Sequence, residues 1–209
     1  MTRMPTRQDG AALVIALVML AVILLLGAAA VSTLVLDEHA ARNHRDLLHA
    51  MQAAQAALDE ACDEISRGAR VTEAAFPASA GCGGNAQGRG LCRGMGEGRK
   101  WLPPLLTDAG AGAATYGEFS GRRMRLHDTP PPRYVIELLE PGASTPPSTS
   151  STPATASDQR GGPLYRISAA GFGPGDAQAG LQAVVRRQAT PGGQAECLRL
   201  AWRPLPLNK

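Results

Sequence analysis

Twenty-six uncharged residues, 11–36, follow Gly10, with no proline and no polar break longer than Ser32-Thr33. A bilayer core needs about 20 apolar residues at 1.5 Å each, so this stretch is long enough to cross with some tilt. The helical period does not stop at its end. Leu47, Met51, Ala54, Leu58, Ala61 and Ile65 recur at alternating steps of four and three and predict one apolar face. Asp46, Gln52, Gln55, Asp59 and Asp63 fall on the opposite side. Gly68 after Arg67 marks the helix end, with a cation in the last turn and a glycine beyond it. One helix over residues 11–67 measures roughly 85 Å at the standard rise. A globular core needs far less, and such a rod suits bundling with other copies or relatives.

Beyond residue 68 the period changes from helical to alternating. Residues 133–140 place Tyr134, Ile136 and Leu138 on one side, and residues 163–170 do the same with Tyr165, Ile167 and Ala169. Leu181, Ala183 and Val185 alternate in residues 179–188, and Leu198, Leu200 and Trp202 alternate near the C-terminus. The run GFGPGDAQAG between the second and third of these segments reads as a turn, which makes them a hairpin. The expected fold is α+β: a long N-terminal helix whose outer half packs on an antiparallel sheet of about four strands. Residues 77–121 are glycine-rich and irregular, with Trp101-Leu102 and Leu105-Leu106 expected to tie the loop to the core. Residues 141–162 are dominated by Pro, Ser and Thr without apolar periodicity and are expected to be a disordered surface insertion.

Charge divides the chain further. The leader, residues 1–10, holds Arg3 and Arg7 against Asp9, while Asp37 and Glu38 follow the apolar run. A positive flank stays in the cytoplasm, which predicts a single-pass topology with a cytoplasmic stub and the body outside. The four parts are then the leader 1–10, the transmembrane half-helix 11–36, the amphipathic half-helix 37–67 and the head 68–209. Residues 37–67 carry seven acids against three arginines, and the head carries sixteen bases against ten acids. The overall charge of +3 is too small to point to nucleic acid.

Cys62, Cys82, Cys92 and Cys197 all follow the span, and an even number in an oxidising compartment favours disulfides. Three pairings are open. Cys82–Cys92, stapling the glycine-rich loop, and Cys62–Cys197, joining helix to C-terminus, are the favoured set. No C-x-x-C occurs, and neither zinc nor redox-motif chemistry is supported. No Walker loop, H-E-x-x-H or G-x-S-x-G is present. His39, His44 and His49 are spaced by five, about 140° apart on a helix, so they do not share a face as metal ligands. Asp59-Glu60 and Asp63-Glu64 read as a solvated acidic face. The sequence predicts neither an enzyme nor a cofactor.

Gly10 opening the apolar run, the continuous amphipathic helix and the segment Met51-Gln52-Ala53-Ala54-Gln55-Ala56-Ala57-Leu58 resemble the N-terminal region of PilX-type minor pilins of the type IV pilus. That family carries an F-Q-A-A-E-A-A-L-like segment there, with Met and Gln replacing Phe and Glu in this chain. LYRISAAGFGPGDAQAGLQAVVRR is similar to the family's terminal hairpin. The resemblance implies a type IV pilin-like fold, an inner-membrane location before assembly, cleavage between Gly10 and Ala11 by prepilin peptidase and methylation of the new Ala11 amine. It implies a structural role in priming assembly at or near the pilus tip, with other minor pilins, the major pilin and a tip adhesin as partners. Ile15 stands where major pilins carry glutamate. In filaments that carboxylate meets the positive N-terminus of the subunit above, and a tip subunit has nothing above it. A minor pseudopilin of a type II secretion system shares the same features. An ordinary signal sequence cut after Ala28-Ala29-Ala30, giving a secreted domain, and an uncleaved anchor are the other readings.

Overall fold

The computed structural model describes residues 9–94, 105, 112–124, 129–139, 162–190 and 192–207, with side chains at 9–10 and 29–35 left aside. Residues 1–8 of the leader, Trp101-Leu102, Leu106 and insertion residues 141–161 lie outside the described residues. The chain divides into two compact units, Met1–Arg45 and Asp46–Lys209.

Helix α1 runs Asp9–Arg67. It stops where the sequence supplies a left-handed residue: Gly68 has φ +64° and its N–H reaches the Glu64 carbonyl at 2.9 Å. That single bond satisfies a carbonyl of the last turn. A 3-10 turn, Glu73–Ala75, follows. Seven strands then make one sheet: β1 Gly81–Cys82, β2 Leu91–Arg93, β3 Ala114–Thr115, β4 Arg133–Leu139, β5 Leu164–Phe172, β6 Gln178–Ala189 and β7 Ala195–Leu205. Their order is β1-β2-β4-β5-β6-β7, with β3 beside β4. All pairs are antiparallel except β2–β4.

The four long strands coincide with the four alternating segments, and β5–β6 is the hairpin expected at the glycine-proline turn. The sheet nonetheless exceeds the expected four strands. Strands β1, β2 and β3 are two or three residues long, too short for a period of two to register.

Register aligns rows of core residues across the sheet. Ile136 faces Ile167, Ile167 faces Ala183, and in the next row Leu138, Tyr165 and Val185 are neighbours. These side chains meet Ala54, Ala57, Leu58, Ala61 and Ile65 of α1 in one buried cluster. Alanines let the helix approach closely. At Gly171 a Cβ would sit 2.1 Å from the Ala50 carbonyl oxygen, so only glycine permits this contact. Val135, Ala170 and Phe172 point the other way and form a second cluster with Cys92, Leu105, Ala113, Leu205 and Leu207. Both faces of the central strands are thus covered.

Two expectations about patterning fail. Leu47, the first residue of the helix stripe, is 44% exposed, and Met51 is only partly buried, while the four later members are fully buried. In β7 the register shifts opposite Val184/Val185, where Arg199 and Ala201 pair with consecutive β6 residues and Leu200 is the extra one. The bulge puts Trp202 on the side of Ala183 and Leu198 on the side of Arg186, so the apparent alternation does not define one face.

Candidate functional site

The apolar helix and the seam between α1 and the head are the two features with functional content. Along Ala11–Ala28 the helix is long and apolar enough to cross a membrane, and its side chains are exposed throughout. Gly10 lies in the first turn of α1, followed by Ala11. Ile15 belongs to this exposed apolar surface at 59% exposure, with Leu13, Val14 and Leu17 around it. An apolar surface of this extent is unstable in water and calls for lipid or neighbouring apolar helices.

The seam in the second unit is built on carboxylates. Glu60 is fully buried, and its Oε1 accepts the Gly117 N–H at 2.8 Å. Glu64, one turn on, is also buried. It accepts the Tyr134 hydroxyl at 2.8 Å and pairs with the Arg70 guanidinium. Arg70 in turn donates to the Gln87 and Arg89 carbonyls, at 3.1 and 2.6 Å, and lies 3.7 Å over the Phe119 ring. One guanidinium therefore gathers the helix end, the disulfide loop and the segment after β3. The outer acids act as clamps: Asp59 to Arg199 on β7 at 2.9 Å and Asp63 to Arg122 at 2.7 Å. The acids expected to be a solvated face are in fact the polar half of the docking surface, because Tyr134, Arg70 and the Gly117 amide supply partners there.

Burial pushes the Glu60 carboxyl above the ordinary carboxylate range. The Gly117 amide and Ser120 hydroxyl oppose that shift, and Glu64 adds to it. The Tyr134 phenol is pushed up by burial, with the charge of Glu64 and their hydrogen bond contributing. Among the described residues no group of acids, cysteines and histidines is arranged to hold a metal ion.

Two disulfides complete the seam. Cys62 bonds Cys197, fixing α1 to β7, and Cys82 bonds Cys92, which are direct partners on β1 and β2. Of the candidate residues, Ala54, Leu58, Ala61 and Ile65 lie in the core, Met51 lies at its margin and Leu47 is exposed, the cysteines form the two bridges, and Gly10, Ala11 and Ile15 lie on the apolar helix. Sequence reasoning missed Glu60, Glu64, Arg70 and Tyr134. The signal available was the pair of acids at i, i+4 on the flank of an apolar stripe, close enough to it to be covered.

A long apolar N-terminal helix that continues into an α+β head is the pilin-like architecture. The family model described as PilX N-terminal matches residues 9–59, and that described as Type IV pilus assembly protein PilX C-term matches residues 70–187. The chain belongs to the PilX family of type IV pilus assembly proteins and is a PilX-type minor pilin. No curated protein and no solved structure matches it. The family is a structural one, its members are anchored by the N-terminal apolar helix, and membership implies interaction with other pilus components.

Proposed function

We propose that this minor pilin primes type IV pilus assembly and sits at or near the pilus tip. The observation that carries the tip position is Ile15 on the exposed apolar helix. An ion buried in an apolar bundle is costly unless paired, so a subunit with another N-terminus above it gains from a carboxylate at this place. A subunit with nothing above gains nothing. The leader 1–10 would be removed by prepilin peptidase between Gly10 and Ala11. Before assembly the protein would sit in the inner membrane, leader inside and head outside. Its partners would be other minor pilins along α1, the major pilin below and a tip adhesin. A minor pseudopilin role is the reading that shares the helix and the peptidase, and the matches to the pilus assembly family along most of the chain favour the pilus.

The testing experiment is the N-terminal residue and intact mass of the mature protein, from cells with and without prepilin peptidase. The expected start is methylated Ala11, dependent on the peptidase. Gly10→Val is expected to leave membrane insertion intact and abolish this maturation. A mature start at Val31, or a Gly10→Val protein that still matures at Ala11, overturns the proposal.

A further inference from the structure

Strand β7 ends the sheet, and among the described residues no strand pairs with its outer side. An edge strand presents a row of outward N–H and C=O groups, ready to pair with another chain. Natural edges are blunted by shortness, lysine, proline or inward charge. Strand β7 is eleven residues long and has no lysine, and its one proline, Pro204, comes next to last. Leu198, Leu200 and Trp202 remain 42–48% exposed along it.

The bulge at Leu200 turns this edge into a two-sided surface. Leu198 flanks one face of any added strand, and Trp202 flanks the other. Helix α1 holds the strand in place from behind through Cys62–Cys197 and Asp59–Arg199. The edge is ordered before any partner arrives, which lowers the entropy cost of binding.

Charge selects the occupant. Strands β6 and β7 together carry Arg186, Arg187, Arg199 and Arg203 against Glu196, and Asp59 of α1 takes up the charge of Arg199 alone, which leaves the surface net positive. A second copy would bring the same net positive surface to this edge, which disfavours a homodimer. We infer that β7 is a strand-addition site for an extended, carboxylate-bearing segment of another pilus subunit, with apolar residues against Leu198 and Trp202. The inference goes beyond the tip reading and does not depend on it, since among the described residues no strand pairs with this edge.

The test places a benzoyl-phenylalanine photocrosslinker at Trp202 of the full-length protein in piliated cells, with a second at exposed Glu73 as control. The expected adduct at position 202 maps, by peptide mass, to an extended acid-bearing segment of another pilus subunit, and position 73 gives none. With the probe moved to position 198, Trp202→Lys together with Leu200→Lys is expected to reduce that adduct at least about tenfold, as loss of a central aromatic contact does. Protein level and the Cys62–Cys197 bond serve as the folding check. Should the double variant fail to accumulate, the adduct on the otherwise native chain decides alone. An adduct to a second copy, to lipid or to a protein outside the pilus overturns the inference, as do equal adducts at 73 or piliated cells with no adduct at 202. Success or failure here is independent of where the peptidase cuts.

Discussion

Glu60 shows how a single side chain can hide in a periodic pattern. It lies one residue off the apolar positions of α1, so helical spacing alone assigns it to the flank and to water. Burial against the segment after β3 instead raises its pKa, and the folded chain binds its proton more tightly than the unfolded chain does. Stability from this group is therefore full below its unfolded value and is lost as the pH rises through the raised one. Glu60→Gln keeps an oxygen to accept the Gly117 N–H and removes the ionisation. The variant is expected to be more stable than the native chain in mildly alkaline buffer, with the difference vanishing in acid. Urea midpoints followed by tryptophan fluorescence across that range check it. A variant less stable in alkali would mean that the ionised form, facing Arg122, is the one the fold uses.

At the scale of elements, the long helix and the four long strands were legible because each repeats its period several times. Gly68 marked the helix end for a local reason that needs no tertiary knowledge. What escaped notice depends on contacts distant in sequence. Strands β1, β2 and β3 exist only because β4 offers them an edge, directly or through β2, and the bulge in β7 appears only against β6. For the disulfides, spacing alone left three pairings open, and the favoured set, Cys82–Cys92 with Cys62–Cys197, is the one the structure forms. The two bridges close loops of very different length, with sequence separations of 135 and 10. Chain entropy then predicts losses of about 5 kcal/mol for removing Cys62–Cys197 and about 3 kcal/mol for Cys82–Cys92. Paired Cys→Ala variants unfolded in guanidinium test the order. A larger loss from Cys82–Cys92 would show that the glycine-rich loop governs head stability more than the tie between α1 and β7 does.

For the whole molecule, the balance of apolar and charged surface is what fits it to a filament. Residues 11–28 expose apolar side chains along their whole length, and in a membrane-anchored pilin such a surface is stabilised by lipid or by neighbouring apolar helices. Ile15 tests which neighbours those are. Ile15→Glu introduces a carboxylate near the start of the apolar run, where it costs less than the about 2.5–3.5 kcal/mol of a charge at a span's centre but is still unfavourable when nothing pairs with it. At the tip no amine lies above to offset that cost, so the variant is expected to be matured normally yet to lower piliation severalfold. In the shaft the N-terminus of the next subunit would neutralise the charge, and the same variant would assemble as well as the native chain or better. Counting filaments per cell, with the mature protein quantified in the membrane fraction, separates the two. Unchanged or increased piliation would move the subunit from the tip into the body of the filament while leaving its membership in the pilus untouched, because membership rests on the matched domains rather than on Ile15.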